Sequence, residues 1–77
     1  MTARKMFKKL GYRYKTDDYS IEYTKENPFG VKYTIVFPIG RSYCEIIPTL
    51  SGMVHHFVRL EKELLDAINK QIEEMEE

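Results

Sequence analysis

The sequence predicts an α+β fold: a short N-terminal helix, a four-stranded antiparallel β-meander, and a long C-terminal helix packed on one sheet face. Three observations carry this. Apolar residues recur with helical period at both ends of the chain, and they alternate with period two in the middle. Between the alternating runs stand short clusters of Gly, Pro, Asn and Asp, at spacings that suit hairpins. With 77 residues the chain holds one small domain, residues 1–77.

The first helix spans residues 2–10. Thr2 is the N-cap candidate, Ala3, Met6, Phe7 and Leu10 form one apolar stripe, and Gly11 supplies the left-handed conformation that ends a helix. The period then changes. Strands are expected at about 12–16, 19–25, 31–37 and 42–47. Thr16-Asp17-Asp18 makes the first turn, Lys25 to Gly30 a loop with Asn-Pro, and Pro38-Ile39-Gly40 a tight turn. Tyr19, Ile21 and Tyr23 form one apolar row; Val31, Tyr33, Ile35 and Phe37 form the next. In the fourth strand Cys44 and Ile46 share a face, with Tyr43, Glu45 and Ile47 on the other.

The final helix is expected at about 60–75. Its stripe is Leu60, Leu64, Ile68, Ile72 and Met75, widened by Leu65 and Ala67, and Asp66 with Lys70 forms an i, i+4 pair. The acids after residue 72 oppose the helix dipole, so a frayed last turn is expected. Residues 53–58 fit either an extended segment leading into that helix or its backward extension with Ser51 as N-cap. The extended reading is preferred, because a helix from residue 51 would outrun strands of five to seven residues.

A hydrophobic content of 43% argues against disorder, and no stretch reaches the roughly 18 apolar residues of a membrane span. Residues 1–10 carry four cations and no apolar core, so they do not read as a secretory signal. The single cysteine, Cys44, makes no internal disulfide, which fits a reducing, cytoplasmic setting. Apolar burial and the cost of ordering so short a chain nearly cancel, so self-association or a bound partner would help it.

Net charge is zero but segregated. Arg4, Lys5, Lys8, Lys9, Arg13 and Lys15 fall within residues 1–16 with no acid among them, whereas residues 61–77 carry seven acids against two lysines. Such a chain can pair its own ends, pair head-to-tail with a copy, or present one pole to a partner.

Two stretches resemble a known family. Thr2-Ala3-x-x-Met6-Phe7-x-x-Leu10-Gly11-Tyr12 and Ala67-Ile68-Asn69-Lys70-Gln71-Ile72-Glu73-Glu74 are similar to the two ends of a family of small phage and prophage accessory proteins of low-GC Gram-positive bacteria. The likeness covers about twenty residues at the helical ends and does not extend to the strands. Met75-Glu76-Glu77 stands where the family has Leu-Gly-Trp, so nothing about that tip is carried over. The resemblance implies an accessory gene of a mobile element and brings no catalytic or binding residues to transfer.

Catalytic patterns are sparse. His55 and His56 are adjacent, so on a strand or a helix they diverge and do not share one metal ion, and Cys44 adds no spacing that would complete a site. Cys44 as a thiol nucleophile is disfavoured by its place on the apolar row beside Ile46. Glu22 and Glu45 would be a carboxylate pair only if the strands set them face to face. No phosphate loop, nucleophile elbow or dinucleotide fingerprint is present. No enzyme activity, cofactor or metal is therefore expected.

The expected function is binding. The leading reading is a non-enzymatic accessory protein that occupies a bacterial host protein. Its most specific version is inhibition of a host defence nuclease, of the anti-CRISPR or anti-restriction kind. The candidate surface is Arg4, Lys5, Lys8, Lys9, Arg13 and Lys15, with Tyr33 and Tyr43 as interface tyrosines. The first alternative is a nucleic-acid-binding domain using the same cations, with Tyr12 and Tyr14 for stacking. Two others are an acidic helix that mimics DNA phosphates and a structural homodimer through the helix stripe.

Overall fold

The computed structural model describes residues 1–49 and 59–76. The ambiguous segment 53–58, with His55 and His56, lies outside the described residues. The elements run α1 (Ala3–Lys9), β1 (Arg13–Thr16), β2 (Ser20–Glu26), β3 (Lys32–Pro38), β4 (Glu45–Thr49) and α2 (Lys62–Met75). The strands form one antiparallel sheet in the order β1-β2-β3-β4, and both helices lie on one face of it. The α+β expectation holds.

The cap of α1 forms as its sequence suggests. Thr2 accepts a hydrogen bond from the Lys5 amide at 3.3 Å, and Gly11 takes φ +91° just past the helix. Ala3 and Phe7 are fully buried. The chain then reverses sharply, because the Tyr12 amide bonds back to the Phe7 carbonyl at 3.0 Å. β1 therefore begins at Arg13, one residue after the expected start.

The strand alternation sorts the sheet's two faces. Tyr23, Ile35 and Phe37 are buried beneath the helices, joined by Phe7, Leu64, Ala67 and Ile68 in one core. Phe7 stacks on Tyr23 with ring centroids 3.8 Å apart, and Phe37 meets both rings edge-on at 6.0 Å. Arg13, Lys15, Glu22, Thr24, Thr34, Val36 and Glu45 share the opposite, open face.

The turns carry their own chemistry. Asp17 Oδ1 accepts from the amides of Tyr19 and Ser20 at 2.8 and 2.9 Å. Asn27 Oδ1 does the same for Phe29 and Val31 at 2.9 and 3.0 Å. Both are local side-chain mimics of a backbone turn. Tyr19 thus sits in the first turn, 82% exposed, rather than opening β2, and the strand runs to Glu26, one residue beyond its expected end.

The fourth strand departs most from expectation. It runs Glu45–Thr49 instead of 42–47 and includes Pro48. Pro48 stands opposite Tyr33 at a position where the backbone of an edge strand faces away from its neighbour. The missing N–H therefore removes no ladder bond. Cys44 and Ile46 still pack against the core while Tyr43, Glu45 and Ile47 are exposed.

α2 begins at Lys62, so Leu60 precedes it, and both Leu60 and Leu65 are exposed. Gln71 is buried in the stripe instead, where Oε1 accepts the Tyr23 hydroxyl at 2.6 Å. Asp66 pairs with Lys62 at 2.9 Å rather than with Lys70, and Lys70 reaches Glu73 at 3.5 Å. The helices run antiparallel. At one end Glu74 Oε2 accepts from the Ala3 amide at 2.9 Å; at the other, Leu10 and Leu64 line one cleft. Glu74, in the last turn of α2, thus satisfies an open donor at the start of α1.

Candidate functional site

The six cations of residues 1–16 gather along one side of the molecule. On α1, Ala3 and Phe7 point into the core, so helical geometry puts Lys5 and Lys9 on the outer side and Arg4 and Lys8 on the flank above β1. The Arg4 guanidinium lies 3.9 Å from the centroid of the Tyr14 ring, which fixes that flank over the strand. Arg13 and Lys15 project from β1 to the open face. A basic band therefore wraps the β1 edge from the helix layer to the far side of the sheet.

Among the described residues none of these six cations forms an ion pair. Lys15 stands directly across from Glu22, yet the Glu22 carboxylate accepts from the Ser20 hydroxyl at 3.3 Å. The acidic pole behaves otherwise. Glu61 meets Arg59 at 3.9 Å, Asp66 meets Lys62, Glu73 meets Lys70, and Glu74 caps α1. These exposed pairs stabilise little. They do partly neutralise α2, whereas on β1 Lys15 has only unbonded acids near it, Glu22 across the strand and Asp17 two residues on.

The tyrosines divide. Tyr12 and Tyr14 are half-buried against the core, with Tyr14 beneath Arg4 and Tyr12 edge-on to Phe7 at 5.5 Å. Tyr33 lies at one end of the sheet, in register with Lys25 and Pro48, and Tyr43 lies in the β3–β4 connection beyond the turn at Gly40. The structure sets the six cations on α1 and β1, with Lys5 and Lys9 outward from the helix layer and Arg13 and Lys15 on the far face of the sheet, and brings neither Tyr33 nor Tyr43 to them.

Tyr33 instead lines an open cleft of about 610 Å³ with Leu10, Tyr12, Lys25, Asn27, Phe29, Arg59, Glu61, Glu63 and Leu64. Burial pushes the Tyr12 hydroxyl above the ordinary tyrosine range, and the neighbouring Tyr33 phenol adds to the effect. Lys25 Nζ sits 5.6 Å from the Tyr12 ring centroid. The sequence reading missed this grouping. Its only signal was the strand register that places Lys25 beside Tyr33. The cleft mixes aromatic rings with both signs of charge, so it selects no single ligand class.

The remaining candidates are separated. Glu22 and Glu45 both face Val36, one from each side, so β3 stands between them at two strand spacings, about 9.5 Å. They do not share a proton. Burial raises the Cys44 thiol pKa, which disfavours the thiolate a nucleophile needs. Among the described residues no three His, Cys, Asp or Glu side chains come close enough to hold a metal ion, and no helix is long and apolar enough to cross a membrane.

Comparison with protein-family models, curated proteins and solved structures finds no match to this chain.

Proposed function

We propose that this chain is a non-enzymatic binding protein whose working surface is the basic band of Arg4, Lys5, Lys8, Lys9, Arg13 and Lys15. The partner we propose is an acidic surface on a bacterial host protein. The observation that carries the reading is the absence of ion pairs from all six side chains among the described residues, in a chain of zero net charge where Glu61, Asp66 and Glu73 each pair with a cation of their own segment. Like charges held together on two adjoining elements repel one another, and an acidic partner relieves that cost.

A protein partner is favoured over nucleic acid by two features. Tyr12 and Tyr14 are turned inward, so the band offers no aromatic platform for stacked bases. The acidic α2 lies beside α1 in the same layer, where it would repel a phosphate backbone. The resemblance to prophage accessory proteins supports a host protein met in the bacterial cytoplasm. A defence nuclease is the most specific version of that partner, because its metal-holding carboxylates form an acidic surface of the required sign.

The test is affinity capture by the tagged full chain from a bacterial lysate, with and without nuclease treatment, over a series of salt concentrations. One protein retained after nuclease and released as salt rises supports the reading. Recovery of nucleic acid alone, or of proteins lost on nuclease treatment, overturns it in favour of nucleic-acid binding.

A further inference from the structure

We infer that the partner's acidic segment binds as an added β-strand along the free edge of β1, an inference that rests on the basic band being the working surface. β1 is a terminal strand of the sheet, so among the described residues one side of it has no neighbouring strand. Which of its backbone groups face that side follows from the ladder. Asp17 N donates to Ser20 O at 3.0 Å, which makes Asp17 and Ser20 a hydrogen-bonded pair in the register that continues through Lys15 and Glu22 to Arg13 and Thr24. Such pairs alternate along antiparallel strands. The peptide groups of Arg13 and Lys15 thus face β2, and those of Tyr14 and Thr16 face outward.

The outward groups are flanked mainly by cations, with Glu22 across from Lys15 and Asp17 after Thr16 as the nearby acids. Arg13 and Lys15 stand on the open face of the same strand, two residues apart, and Arg4 overhangs its other face. An extended segment with acids at alternate positions would bond Tyr14 and Thr16 through its backbone and meet Arg13 and Lys15 with its side chains. Charges on an edge strand also guard against aggregation. A cationic guard repels a second copy's β1, since Arg13 and Lys15 would face their own kind, and it attracts an acidic strand. The opposite edge differs: on β4 the outward positions include Pro48, which has no N–H to donate.

The test uses the ¹⁵N-labelled full chain and a capped peptide, Thr-Glu-Val-Glu-Thr-Glu, with two controls. One control replaces each Glu by Lys; the other replaces Val by Pro, keeping the charge but breaking strand pairing. The acidic peptide is expected to slow amide exchange at Tyr14 and Thr16 at least tenfold, and neither control to do so. Reversal at two exposed positions, Arg13→Glu with Lys15→Glu, is expected to weaken peptide binding at least tenfold with the circular-dichroism spectrum unchanged. Failure of the peptide to bind, binding without protection at Tyr14 and Thr16, or equal binding of the proline control overturns the proposal. So does protection of those amides in a self-associated form without peptide, which would assign the edge to a second copy. If lysate capture still depends on the α1 cations when the peptide test fails, only the strand-addition mode falls. If capture ignores those cations, the reading beneath it falls as well.

Discussion

The Tyr23 hydroxyl donates a 2.6 Å hydrogen bond to Gln71 Oε1, joining β2 to α2 across 48 residues of sequence. Both side chains are buried, Tyr23 at 1% and Gln71 at 5% exposure, so neither has water as a ready alternative. The bond fixes the rotation of α2 over the sheet, because only one face of the helix can present residue 71 to the ring that Phe7 stacks upon.

Tyr23→Phe is therefore expected to cost about 1–3 kcal/mol, most of it from leaving the Gln71 amide buried without a partner. The double variant Tyr23→Phe with Gln71→Leu is expected to cost less than the sum of the two single changes. Urea denaturation of the four proteins measures both. Additive costs would show that the bond adds nothing beyond the two side chains.

Alkaline pH provides a second test of the same site. Burial, with smaller contributions from Tyr14 and Glu74, pushes the Tyr23 hydroxyl up to about 12 from an ordinary value of 10.0. A raised tyrosine pKa means that the folded state holds the proton more tightly than the unfolded one. The resulting stability is fully present below pH 10 and is lost as pH rises from 10 toward 12. Tyrosinate absorbance near 295 nm should show both Tyr12 and Tyr23 titrating late, and the step near pH 12, from Tyr23, should coincide with loss of the fold. In Tyr23→Phe that late step should vanish.

Asp17 behaves in the opposite sense. The backbone amides of Tyr19 and then Ser20 hold its carboxylate below the usual range. Its contribution is present above the ordinary carboxylate pKa and fades as pH falls through the lowered one. Asp17→Ala is expected to lower the thermal midpoint at pH 7 and to flatten its decline on acidification. An unchanged acid profile in the variant would show that the turn does not depend on this charge.

Much of the fold was legible because local patterns and tertiary packing agree in this chain. Thr2 and Gly11 bound α1 as its ends suggest, and the apolar alternation identifies the covered face through Tyr23, Ile35 and Phe37. What escaped depended on long-range geometry. The apolar stripe read on α2 passed over Gln71 because it is polar, and nothing local shows that Tyr23 meets it. Local rules stop a strand before Pro48, and only its position on an outer edge lets the strand continue. The candidate site was legible as a run of cations. That the run closes around an open strand edge, away from Tyr33 and Tyr43, required the structure, since α1 had to be placed over Tyr14.

The most direct test of the basic band is lysate capture with reversed charges. The triple variant Lys5→Glu, Lys8→Glu, Lys9→Glu changes exposed positions on α1 that make no ion pair among the described residues, so the fold should persist by circular dichroism. Glu63→Lys with Glu76→Lys, in the first turn and at the C-cap of α2, serves as the control of opposite sign. The account predicts that the α1 variant loses the captured host protein at moderate salt while the α2 control keeps it. Capture that survives reversal on α1 and fails on reversal of α2 would contradict the account and move the working surface to the acidic helix.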